Sequence, residues 1–126
     1  MAGYGPCIVS STATGAGIHA ALVEAAMATR GDNIFLTKGV RPDVEEYSIF
    51  DNDESATQLR HLVAAKAIAE IDICGVAREY CVKESLLGAI KAFGASRIHI
   101  LNRFIAAISD QHALDAIVHD HAITVD

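Results

Sequence analysis

Short apolar runs alternate with stretches of helical spacing along most of this 126-residue chain, and that alternation limits the folds open to it. Asn33–Thr37, Ile71–Gly75, Arg97–Leu101 and His121–Val125 have the length and composition of strands. Between them lie Ser55–Ile68, Val82–Phe93 and Asp110–His119, which read as helices. Asp53 or Ser55 suits the cap of the first, and Gly94 the stop of the second. Helices of about ten to fifteen residues between strands call for right-handed βαβ crossovers and a parallel sheet. The expectation is therefore one α/β domain over residues 1–126, a three-layer α/β/α arrangement with a mainly parallel sheet. Ahead of these elements, Pro6–Ser11 reads as a strand or a buried loop, and alanine-rich Gly17–Thr29 as a helix stopped by Gly31-Asp32. Arg41–Asn52 reads as a loop, since Pro42 breaks helix and acidic residues surround Tyr47-Ser48-Ile49-Phe50.

Composition bounds the class. With 52% apolar residues the chain is expected to be globular, and a formal charge of −6 disfavours a nucleic-acid partner, which usually meets a basic face. Three cysteines without paired spacing suggest free thiols in a reducing compartment, so an intracellular, cytoplasmic location is expected, with mitochondrial association open. No run of about 18 apolar residues is free of charge, so no membrane partner is expected. The N-terminus does not follow the plan of a secretory signal.

One segment carries chemistry. Gly75-Val76-Ala77-Arg78-Glu79-Tyr80-Cys81-Val82-Lys83-Glu84-Ser85 joins an apolar strand to a helix, which places Cys81 where the strand ends and the helix begins. There the first helical N–H groups lack intrahelical partners and the positive end of the helix dipole points outward. Such a position favours a thiolate, the form that attacks carbonyls, and offers N–H groups to the resulting oxyanion. The alternative is a buried structural cysteine. Lys38, like Cys81, ends a predicted strand, and open α/β sheets bind ligands at the carboxyl ends of strands.

Beyond these residues the sequence resembles the isochorismatase-like cysteine hydrolases, and nicotinamidases most. The resemblance rests on Lys38-Gly39, on Pro42-Asp43-Val44 with Tyr47-Ser48-Ile49-Phe50-Asp51-Asn52, and on Gly75–Val82, in matching order and spacing over residues 31–126. It implies Cys81 as nucleophile and Lys38 as the triad lysine. It also implies a cis peptide between Val76 and Ala77, an oxyanion hole from the N–H groups of Ala77 and Cys81, and substrate binding by Tyr47 and Phe50. The implied function is hydrolysis of a small amide or related C–N bond through an acyl-enzyme, with a small-molecule substrate and a homo-oligomeric state.

The first thirty residues depart from the family pattern. There a strand ends in the triad aspartate, and an Asp-x-His metal pair follows. This chain has no acidic residue before Glu24. Gly15-Ala16-Gly17-Ile18-His19 and Cys7 fit only a later family segment, with Pro6 where that segment has its metal-binding histidine. The expectations are a family member lacking N-terminal strands, no metal and no cofactor, and catalysis impaired by loss of the aspartate.

The remaining polar residues have plainer readings. His119-Asp120-His121 could share a metal but reads better as a polar helix-to-strand turn. His99 reads as a hydrogen-bonded core histidine, and His19, His61 and His112 lack partners at metal spacing. The acidic loop of Asp43, Glu45, Glu46, Asp51, Asp53 and Glu54 reads as a solvated lid or edge. Arg78, Lys83, Arg97 and Arg103 read as surface charge or a modest basic rim. Cys74, inside its strand, is expected to be protected by burial. Two other functions stay open: a ribonuclease of the mitochondrial-associated type, for which no motif speaks, and a non-catalytic relic that keeps the fold for partner binding.

Overall fold

A computed structural model describes residues 7–12, 20–29, 31–39 and 41–126. Pro6, the stretch 15–19 with His19, and the first part of the predicted helix Gly17–Thr29 lie outside the described residues. The chain divides into two compact units, Met1–Ala56 and Thr57–Asp126.

In the first unit, β1 (Cys7–Thr12) and β2 (Asn33–Lys38) pair in parallel, with Cys7 opposite Asn33 and Thr12 opposite Lys38. The run left open between strand and buried loop is thus a strand, and α1 (Ala20–Met27) lies on the crossover between the pair. The two-residue period of β2 puts Leu36 and Lys38 on one face, both buried, while Phe35 and Thr37 are exposed. The loop that follows closes with a 3₁₀ turn at Ile49–Asp51. Ser48 caps it: its Oγ accepts from Phe50 N–H at 3.1 Å, and Asp51 Oδ2 accepts from Ser48 N–H at 3.0 Å. Helix α2 (Asp53–Ala65) begins two residues after that turn. Ser55 Oγ donates to the Thr37 carbonyl at 2.7 Å and ties the start of α2 to the carboxyl end of β2.

In the second unit, β3 (Ile71–Val76), β4 (Ile98–Ala106) and β5 (Thr124–Val125) form a parallel sheet in the order β3-β4-β5. Helix α3 (Lys83–Phe93) buries Leu86 and Ala89 on the face that Val82 begins, at the four- and three-residue steps of an amphipathic helix. Gly94 stops it as expected, with φ of 89° and its N–H donated to the Ile90 carbonyl at 2.9 Å. Leu114 and Ile123, both buried, flank α4 (Asp115–His121). No helix among the described residues is long and apolar enough to cross a membrane.

The fold class is α/β with parallel strands, but the pairing and some boundaries differ from the sequence reading. The described strands pair as β1-β2 and as β3-β4-β5. Helix α4 starts at Asp115, because Asp110 instead turns the chain by accepting the His112 N–H at 2.9 Å. His121 belongs to that helix and not to β5. Strand β4 continues past Leu101 to Ala106 through an irregularity: Ile73 pairs with Ile100, but Gly75 pairs with Ile105. The extra residues Asn102, Arg103 and Phe104 are exposed on the bulge.

Candidate active site

Strand β3 delivers the chain to Ala77, which is buried and joined to Val76 by a cis peptide. A π turn over Arg78–Val82 follows and runs directly into α3. The Ala77 carbonyl closes this turn, accepting from Val82 N–H at 3.0 Å and from Tyr80 N–H at 3.2 Å. Cys81 lies within the turn and is half-buried, and neither it nor Cys74 forms a disulfide. The wider turn starts the helical segment four residues earlier than Val82. Single π turns within helices are frequent at functional sites.

Cys74 corrects the expectation of burial: it is exposed. Alternation along β3 turns Asp72, Cys74 and Val76 to the exposed face, while Ile71 and Ile73 are half-buried. The Asp72 carboxylate lies 3.3 Å from Nδ1 of His99 across the strand pair, and His99 is half-buried.

At the carboxyl end of β2, Lys38 is buried and its Nζ donates to the Glu46 carbonyl at 3.4 Å. Glu46 is buried as well, only 5% exposed, and does not belong to a solvated lid. Its Oε2 accepts from Gly39 N–H at 3.4 Å, and its Oε1 is buried with no hydrogen-bond partner among the described residues. The chain turns back at Gly39, where φ is 72°, and this return brings Glu46 to Lys38. Residue type alone could not single out Glu46 from five other acidic residues in the loop region. The one available signal was its place directly before Tyr47-Ser48. Tyr47 is exposed and Phe50 half-buried in the same unit.

Arg78 acts on β4 and Glu79 on the segment that follows it. Arg78 is buried, which corrects its reading as surface charge or part of a basic rim. Its guanidinium donates to Asn102 Oδ1 at 2.8 Å, to the Asn102 carbonyl at 3.4 Å and to the Ile105 carbonyl at 2.9 Å. These are carbonyls on the irregular stretch of β4, so the side chain clamps the bulge. Glu79 Oε1 accepts from the N–H groups of Ile108 and Ser109 at 2.8 and 3.0 Å. Desolvation opposes ionisation of Glu79, but those N–H groups, its own N–H and the Arg78 charge together hold its carboxyl below the ordinary value. Two of the other three residues are also engaged elsewhere. Arg97 donates to the Ile68 carbonyl, and Arg103 lies 3.8 Å from Asp126.

His119 and His121 occupy the last turn of α4 and are exposed, with His119 Nδ1 3.3 Å from Asp120. His112 pairs with Asp115 at 3.0 Å. Among the described residues no three His, Cys, Asp or Glu side chains gather as a metal site.

No family model matches the chain, and no curated protein matches it. Solved structures do. The pyrazinamidase of Pyrococcus horikoshii, determined in complex with zinc, superimposes with a TM-score of 0.62 and 26% identity, over 75% of this chain and 51% of its own. The nicotinamidase of Staphylococcus aureus gives 0.70 and 19% identity over 94% of this chain and 70% of its own. An isochorismatase-like hydrolase of Alkaliphilus metalliredigens gives 0.56 and 13% over 98% and 93%. The chain thus has the α/β fold of nicotinamidases and isochorismatase-like hydrolases, and spans about half the length of the Pyrococcus protein.

Proposed function

We propose that this chain is a cysteine hydrolase acting on a small amide or a related C–N bond. The observation that carries the reading is the position of Cys81, half-buried in the first turn between β3 and α3, in a chain whose fold matches a nicotinamidase over 94% of its length. Cys81 is the nucleophile, and Lys38 provides the positive charge paired with its thiolate. The N–H groups of Ala77 and Cys81 receive the oxyanion, and Tyr47 and Phe50 hold the substrate.

An amide also needs a proton carrier, because ammonia or an amine leaves only when protonated. In the family a strand-end aspartate does this, and no acidic residue precedes Glu24 in this chain, so amide hydrolysis is impaired. In acylation the thiolate adds to the carbonyl carbon, the leaving nitrogen takes its proton from solvent, and the C–N bond breaks to a thioester. In deacylation a water oxygen adds to the thioester carbon, its proton passes to solvent, and the C–S bond breaks to release the acid and the thiolate.

Parallel assays on nicotinamide and on an activated aryl ester test the roles. Cys81→Ala abolishes both activities, and Lys38→Ala lowers both strongly. The ester, whose leaving group needs no proton, turns over more readily than the amide, since missing general acid–base help costs on the order of 10²–10⁴-fold in rate. Hydrolysis unaffected by Cys81→Ala would overturn the reading.

A further inference from the structure

A cavity of about 520 Å³ in the second unit is lined by Arg78, Asn102, Ile105, Gln111, His112 and Asp115, with two alanines completing its wall. Arg78 is only 9% exposed. A guanidinium has five N–H donors, and this one makes three hydrogen bonds, all to neutral oxygens. Its Nε is buried with no acceptor among the described residues. No carboxylate of those residues lies within ion-pair distance of it; the Glu79 carboxylate, whose Oε1 takes the N–H groups of Ile108 and Ser109, acts on its charge only from farther away. A buried cation whose hydrogen-bond acceptors are all neutral is only partly compensated for its desolvation.

We propose that this cavity binds a small carboxylate, which takes the place of the Asn102 side-chain amide on the Arg78 guanidinium. Asn102 is exposed and gives Arg78 one neutral oxygen through its side chain, 2.8 Å away. A ligand carboxylate offers two charged oxygens with the geometry that suits a guanidinium, and charge-assisted hydrogen bonds are roughly twice as strong as neutral ones. Gln111 supplies a further amide N–H at the wall. Asp115, bonded to His112 at 3.0 Å, adds negative charge there and favours a monoanion over a dianion such as phosphate. The inference does not depend on Cys81 as nucleophile.

Thermal melting at constant ionic strength tests it, with sodium acetate, sodium benzoate, sodium chloride and inorganic phosphate as titrants. Acetate and benzoate raise Tm in a saturable way, as ligands of the folded state do, and chloride and phosphate do not. Asn102→Asp keeps Arg78 and supplies the missing carboxylate from within, so it raises the starting Tm and abolishes the response to acetate and benzoate. Cys81→Ala responds like the unaltered chain. An undiminished response in Asn102→Asp, a chloride response equal to that of the carboxylates, or a phosphate response larger than theirs would overturn the assignment.

Discussion

Two adjacent leucines in α3 separate the effect of burial from every other effect of a leucine-to-alanine change. Leu86 is 0% exposed, among the largest fully buried side chains, and Leu87 is 37% exposed. Both lie in the interior of the same helix, so the gain in helix propensity from alanine is the same for each. Leu86→Ala loses the full transfer energy of the removed carbons and leaves a cavity beside the turn that carries Cys81. That combination costs about 3 kcal/mol, within the range of roughly 2–5 kcal/mol for such truncations. Leu87→Ala loses part of the transfer energy, about 1 kcal/mol at 25 cal/mol per Å², and the space it vacates is open to water. Urea unfolding followed by far-UV circular dichroism measures both, and the slope with denaturant stays constant if only stability changes. Equal losses in the two variants, or a loss under about 1 kcal/mol for Leu86→Ala, would refute the packing described for α3.

Further outcomes follow from single contacts. Ser48→Ala removes the acceptor for Phe50 N–H and lowers stability by about 1 kcal/mol in the same unfolding assay. Glu79→Gln alters the pH dependence of stability. The depressed carboxyl contributes stability that is present above the ordinary value of 4.5 and is lost as pH falls through the folded value, so the variant has a shallower acid limb in thermal melts. Limiting iodoacetamide labels Cys81 faster than Cys74 although Cys74 is the more exposed, and equal rates in mass-mapped peptides would count against a reactive Cys81.

The sequence pattern made the elements of the second unit legible because their signals are local. The apolar run Ile71-Asp72-Ile73-Cys74, the helical spacing through Leu86 and Ala89, and the stop at Gly94 each act within a few residues of themselves. Strand β4 was only half legible. Its continuation through Asn102, Arg103 and Phe104 depends on carbonyls of the bulge finding a donor in Arg78, some two dozen residues earlier. Glu46 was misread for a similar reason. An acidic residue in a polar loop is ordinarily solvated, and only the return of the chain after Gly39 buries this one against Lys38. Cys74 shows the converse, since its alternation in β3 was visible but which face is exposed depends on what covers the strand. The position of Cys81 after a strand and before a helix was legible, although the π turn that holds it left no mark in the apolar spacing.

The central claim is that Cys81 forms a covalent acyl intermediate, and intact-mass spectrometry after brief reaction with an activated acetyl ester tests it most directly. The account predicts a single added acetyl group that peptide mapping places on Cys81, that decays with time in neutral buffer, and that is absent from Cys81→Ala. Acetylation of Cys74 or of lysines at the same rate, with Cys81 unmodified, would contradict it.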